Sequence, residues 1–428
     1  MARYARTLLI TLFAALAAFA GFNAAIDPYD VGMGVTLEGV NARKTRAHED
    51  GRRIPVGHAL GRAEARSVLL GSSRVVDGFP ERIATWPGGL YNAGLRGSNA
   101  FELAHAAALA ARDPGLRCIV VGLDMGEFAG AEKYKAAFPV SRLADGSTPL
   151  SLARIALSPN TFLRAVQTIR DNITGGSDEP PFQEVYRAGV QRERFLNTPR
   201  GGAGREAALR IDPARIDLLF ETFQTLAGRG VQIVGFIHPI HAYSEERLFR
   251  AGRDEDYFAF RAEMAARFAA LEGEPAAACA AGGAGVLWDF SGFQSPATTP
   301  LPGPVQTRTH PAFHEPAHYL PRVGLAMLAR MRGGADAADG VDPAFGVRLT
   351  PETAQAGARA IEARRAAYLE TEEGRLLTRL LDEAGAVDAA PPPFAQITPA
   401  ERRRLRRMAR AAAERAERVE TLRTAEAS

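Results

Sequence analysis

Hydrophobic positions come first in one unbroken block. No charged side chain occurs from Thr7 to Ile26; Arg3 and Arg6 precede the run and Asp27-Pro28-Tyr29-Asp30 ends it. Twenty residues in a helix extend about 30 Å, the thickness of a bilayer's hydrocarbon core. Arginines ahead of such a span favour a cytoplasmic N-terminus with the bulk of the chain exported. Residues 1–26 are therefore expected to be a single-pass inner-membrane anchor carrying a periplasmic domain. Ala18-Phe19-Ala20 also fits a cleavage site, so the alternative is a signal peptide, with secretion to the periplasm after its removal.

Beyond a mixed, charged connector (27–64) the pattern changes to short apolar runs separated by helix-like stretches. The runs at 67–70, 89–92, 118–123, 231–237 and 285–290 are rich in Val, Ile and Leu and read as buried strands. Between them, 101–112 and 213–229 read as helices. The second has Ile216, Leu218, Leu219, Phe220, Phe223 and Leu226 at a spacing that suits burial on one face. Strands alternating with helices predict an α/β domain over 65–332, a parallel sheet in flavodoxin-like order with helices on both faces, three layers in all. The stretch 131–210 is too long for a simple crossover. It holds a predicted helix pair at 151–169 and a polar loop at 172–181, and is expected to be a helical insertion over the active-site edge. Residues 333–428 are expected to form a charged helical tail, with helices over 354–384 and 398–424 and spacers at Gly333–Gly340 and Pro391–Pro393.

Charge narrows the choice of partners only slightly. The net charge is +3, and from Glu401 onward nine arginines face five acids, so the rest of the chain carries about −1. A nucleic-acid surface on the main domain is not expected. The run Arg402-Arg403-Arg404-Leu405-Arg406-Arg407 suits a solvated helix or an arm against anionic lipid or an acidic polymer. Cys118 and Cys279 are expected to remain free thiols.

Candidate chemistry begins where the first strand ends, at Val68-Leu69-Leu70-Gly71-Ser72-Ser73-Arg74. Ligands of open α/β sheets bind at the carboxyl ends of the strands, and a serine there is placed to act as a nucleophile. It needs a base, and the base needs a third group to orient it. His314-Glu315-Pro316-Ala317-His318 offers both, because one tight turn can set the Glu315 carboxylate against one imidazole nitrogen of His318 and leave the other free. His238 and His241, after the fourth strand, are candidates for lining the substrate pocket, with Ser72, Arg74 and Asn92. Two histidines fall short of a metal set, and neither metal nor cofactor is expected. Asp289 reads as turn chemistry. His310, His314 and His318 recur every fourth residue, but Pro311 and Pro316 argue against a helix there.

With these residues assembled, the chain resembles the SGNH (GDSL-like) hydrolase superfamily over about 65–330. Gly71-Ser72-Ser73 matches the block that carries the nucleophile, which implies Ser73 in that role. Tyr91-Asn92-Ala93-Gly94-Leu95-Arg96-Gly97 matches the second block and implies a backbone oxyanion donor at Gly97, beside the N–H of Ser73. Val121-Gly122-Leu123-Asp124 stands where the third block has its asparagine. Asp124 therefore occupies an oxyanion position with a group that only accepts hydrogen bonds. Arg74 is expected to pair with it. Glu315 and His318 match the last block. The Gly-Ser-Ser-Arg form and the N-terminal span resemble the divergent, membrane-anchored bacterial envelope branch. The resemblance implies a serine esterase or O-acyltransferase working through an acyl-serine, with a carbohydrate, polymer or acylated small-molecule substrate. The rival expectation is a non-catalytic member that binds polysaccharide or organises a complex.

Overall fold

A computed structural model describes residues 2–48, 50–60, 62, 66–130, 133–175, 210–277, 279–302, 310–333, 342 and 345–387. The expected helix over 398–424 with its arginine run, the Pro391–Pro393 spacer and most of the 172–181 loop lie outside these residues. Nine strands are described: β1 (Ser67–Leu70), β2 (Arg82–Ile83), β3 (Leu90–Asn92), β4 (Cys118–Leu123), β5 (Gln232–Ile237), β6 (Gly285–Asp289), β7 (Phe313–Glu315), β8 (His318–Tyr319) and β9 (Val347–Arg348). Seven form one sheet in the order β2-β3-β1-β4-β5-β6-β9, while β7 and β8 pair separately as a hairpin. The five inner strands are parallel, and the short outer strands β2 and β9 run antiparallel. Counted in chain order, the parallel strands follow 2-1-3-4-5, the flavodoxin-like arrangement. All five expected strands are present, with ends shifted by at most one residue.

Successive side chains of a strand face opposite layers, and both layers here are covered. Leu69, Cys118, Val120, Val234 and Phe236 join one cluster with Val75 and Phe79, and with Val323 and Met327 of the helix Pro321–Met331. On the other face, Gly235 has no room for a Cβ because the ring of Phe268 stands 2.1 Å from that position. The helices in chain order are α1 (Ala2–Ile26), α2 (Arg53–Leu60), α3 (Ser73–Gly78), α4 (Ala100–Ala110), α5 (Thr148–Ala156), α6 (Pro159–Thr174), α7 (Pro213–Ala227), α8 (Ala242–Arg250), α9 (Asp254–Ala269), α10 (Pro321–Met331), α11 (Pro351–Leu369) and α12 (Glu372–Val387). α3 packs with α10, and α4 with α7. Cys118 and Cys279 are free and buried.

Three boundaries differ from the expected ones. The connector is folded: the Asp27 carboxylate accepts the N–H groups of Val31, Gly32 and Met33, and Asn41 donates to the carbonyls of Ala25 and Ile26 at the end of α1. The helix pair of the insertion, α5 and α6, packs against α1, while the stretch before it lies beside the loop after β3, where Asn99 donates to Lys133 O at 3.0 Å. The tail is partly built into the main unit, which spans Met1–Thr378; Arg379–Ser428 forms a second unit. β9 extends the sheet, and Arg365 of α11 grips Glu246 of α8 at 2.6 Å. The expected single helix over 354–384 breaks after Leu369. There the Thr371 hydroxyl donates to Tyr368 O and accepts from Gly374 N–H, which caps a new helix.

Candidate active site

The carboxyl ends of β1, β3, β4 and β5 meet at one edge, and the chain changes direction between β1 and β4, where open sheets bind ligands. At the end of β1, Gly71 adopts φ +150°, and a Cβ there would lie 2.5 Å from Val75. Only glycine suits that turn. It swings the backbone so that Ser72 precedes α3 and Ser73 opens it, half-buried. The loop after β3 is tied to the same turn, since Gly71 O accepts both Leu95 N–H (2.9 Å) and the Ser98 hydroxyl (3.2 Å). Gly97, at φ +60°, sits between those two anchors.

The histidine arrives on the β7–β8 hairpin. Glu315 and His318 are partners across the two-residue turn Pro316-Ala317, so facing strand positions bring carboxylate and imidazole together. His318 Nδ1 hydrogen-bonds Glu315 Oε1. His318 Nε2 lies 2.7 Å from Ser73 Oγ, across 245 residues of sequence. Burial pushes the Glu315 carboxyl up, but the hydrogen bond and charge of His318 and the N–H of Ala317 outweigh it and hold it below the usual range. It therefore stays ionised and able to accept.

The hairpin turn is held on both sides. Arg74 Nε donates to Ala317 O at 2.9 Å, and His241 N–H donates to Pro316 O at 2.8 Å. The same Arg74 pairs with Asp124 through Nη1, as expected, and so joins the loops after β1 and β4 to the hairpin.

Several expected pocket residues have other work. Asn92 is buried, and its amide bonds Val75 O, Phe79 O and Gly94 N–H, closing the end of α3. It does not line a pocket. His241 is also buried; it caps α8 through Nδ1 and meets Thr299 O at 2.7 Å, and burial with the nearby His310 lowers it to about 3. It is a structural imidazole. Asp124 supplies no oxyanion donor, because its carboxylate accepts Gly126 N–H and the Arg74 guanidinium. Ser72 is buried ahead of α3. Asp289 accepts the N–H and hydroxyl of Ser291 at its turn and pairs with Arg261. His310 binds Pro300 O in a loop, while His314 and His318 lie in strands, so the fourfold spacing builds no helical face.

Two participants were not anticipated. Glu127 closes a capping box with Asp124: its carboxylate accepts Asp124 N–H at 2.9 Å. The Asp-x-x-Glu spacing after β4 was the available signal. Burial and the adjacent Asp124 raise its carboxyl well above the normal range. Tyr319 donates to or accepts from His238 Nδ1 at 3.0 Å. Burial, then the charges of Arg74 and His318, keep His238 neutral. Glu127 Oε1 and His238 Nε2 are buried without a hydrogen-bond partner among the described residues. With Asp124 they offer ligand atoms within 4.8 Å of one another. Arg74 already neutralises Asp124 and burial favours a protonated Glu127, so the trio fits a neutral polar cluster better than a cation.

Compared with protein-family models and with curated proteins, the chain matches none.

Proposed function

We propose that this is a membrane-tethered, envelope-facing serine enzyme of the SGNH type, catalysing ester hydrolysis or O-acyl transfer on a carbohydrate or polymer substrate. The observation that carries the reading is the continuous relay Ser73 Oγ, His318, Glu315 at the switch point of the sheet. His318 Nε2 takes the hydroxyl proton as Ser73 attacks the ester carbonyl, and the acyl group passes to Oγ. His318 then returns the proton to the departing alkoxide. A second hydroxyl, from water or a sugar, gives its proton to His318 and attacks the acyl-serine; the bond to Ser73 Oγ breaks, and Oγ takes the proton back from His318. Glu315 fixes the tautomer and balances the imidazolium. The N–H groups of Ser73 and Gly97 are the proposed oxyanion donors. Arg74 is a positioning residue, holding the hairpin turn against the serine loop.

The envelope assignment rests on α1, which is long and apolar enough to cross a membrane. One observation favours a second reading, a binding protein without turnover: Asp124 stands where a donor amide would assist the oxyanion, and a missing donor costs on the order of a hundredfold in rate. Labelling with a fluorophosphonate serine probe separates the two. Wild type is expected to label and Ser73→Ala not to. Glu315→Gln is expected to slow labelling on the order of a thousandfold. A folded wild type that never labels refutes catalysis and leaves the binder.

A further inference from the structure

α6 is built inside out. Its inner face is polar or small, with Thr161, Ala165 and Thr168 buried. Its apolar side chains point outward: Phe162 is 37% exposed, Leu163 59%, Val166 46% and Ile173 72%. Leu150 of α5 and Leu157 at the joint extend the same surface. Among the described residues, thirteen of the nineteen large apolar side chains that are exposed lie on α1 or on this hairpin. Such a contiguous patch marks an interaction surface.

The position of α1 says what covers it. Residues 2–18 of α1 are exposed throughout, but beyond them the helix is taken up by the hairpin. Phe19 stacks on Phe162 with centroids 5.4 Å apart, and Phe22 meets the same ring at 5.2 Å. Asn23 is fully buried and donates to the carbonyls of Ala156 and Ser158 at the α5–α6 corner. The uncharged part of α1 free of the domain, Thr7–Ala18, is about 18 Å long, well short of a hydrocarbon core of about 30 Å. To cross, α1 must carry its last two turns, and the helix packed against them, below the membrane surface. The polar groups at the lower end of α1 mark the water boundary: Lys44 Nζ caps Ile26 O at 2.9 Å, and Arg46 pairs with Asp171 at 2.6 Å. The exposed Arg170 stands one turn from Ile173, where a lipid phosphate would meet it.

We propose that the α5–α6 hairpin is a second, monotopic membrane element, its outer face set into the lipid leaflet beside α1. This rests on the reading of α1 as a retained span. A lipid-facing helix held by polar contacts on its inner side reverses the order of a water-facing one, and α6 has that reversed order. The consequence for function is orientation: two contacts with the bilayer fix the tilt of the domain, where one helix would leave it free to swing.

The test uses the full chain in vesicles of mixed zwitterionic and anionic phospholipid, with spin labels placed singly at Leu163→Cys, Ile173→Cys, Phe13→Cys on the exposed part of α1 and Glu255→Cys on exposed α9. The native cysteines are buried, and unlabelled wild type serves as the blank. Collision rates with oxygen and with a water-soluble nickel complex report depth. Labels at 163 and 173 are expected to show a severalfold higher oxygen-to-nickel ratio than 255, approaching 13. If 13 lies in lipid while 163 and 173 behave like 255, the hairpin is not embedded and the span stands. If 13 is also in water, the span itself is wrong. Disulfide-linked dimers through 163, without lipid contact, show that a second copy covers the face and overturn the proposal.

Discussion

α6 and α7 carry the same kind of signal, apolar residues at helical spacing on a helix of similar length, and use it in opposite directions. α7 buries Ile216, Leu219, Phe220, Phe223 and Leu226 against the sheet layer, and Phe220 and Phe268 meet at 5.2 Å edge to face. α6 buries threonines and an alanine, packs Phe162 on α1, and leaves Leu163, Val166 and Ile173 outside. One helix is held by removal of apolar surface from water. The other is held by specific polar contacts, among them Thr45 and Arg46 to Asp171 and the two-way bond between Asn172 and the backbone of Arg43. Periodicity thus reports that a helix has two chemically distinct sides. Which side meets protein depends on what surrounds it.

The largest effect should fall on α7. Phe223→Ala removes a fully buried ring and is expected to cost about 3–5 kcal/mol, read from denaturant midpoints in detergent. A much smaller loss would mean that α7 is not held by its apolar face. Next comes the polar underside of the hairpin. His58 Nε2 lies 3.1 Å from Ser151 Oγ of α5; burial, then Arg142 and Arg62, lowers the imidazole from 6.5 to about 4. Between those values the unfolded chain binds the proton and the folded chain does not. Stability is therefore full above pH 6.5 and falls as pH drops towards 4, by up to about 3 kcal/mol from this group. His58→Gln should flatten that part of the stability–pH curve; an unchanged slope would show that the histidine does not titrate on unfolding. Asp171→Ala, which removes the carboxylate that Arg46 and Thr45 share, is expected to cost about 1–2 kcal/mol. Smallest of all, Leu163→Ala on the outer face should change stability in detergent by no more than about 0.5 kcal/mol. A loss comparable to that of Phe223→Ala would mean that protein, not lipid, covers the outside of α6.

The candidate site was legible where chemistry and local geometry coincide. Glycine followed by serines at a strand end, and a glutamate three residues before a histidine across Pro-Ala, are short-range patterns whose meaning survives without coordinates. The roles of Asn92 and His241 were not legible, because a polar side chain beside an active edge reads the same whether it faces substrate or closes a helix. Only the carbonyls of Val75 and Phe79, or of Thr299, show which it does. Glu127 and Tyr319 were missed for a related reason: each acts through a partner, Asp124 or His238, that comes near only after folding or in a turn read for another purpose.

From its residues alone the chain determined an N-terminal apolar span, five parallel strands with helices between them, and the identity of an alcohol, an imidazole and a carboxylate able to form a relay. These follow from spacing and residue type, which act over a few positions. Tertiary structure decided that Ser73 and His318 stand 2.7 Å apart, that Arg74 and His241 clasp the turn between them, and that α6 turns Leu163, Val166 and Ile173 away from the protein. Those outcomes depend on which groups from distant segments compete for the same volume and the same hydrogen bonds, and that competition exists only once the chain is packed.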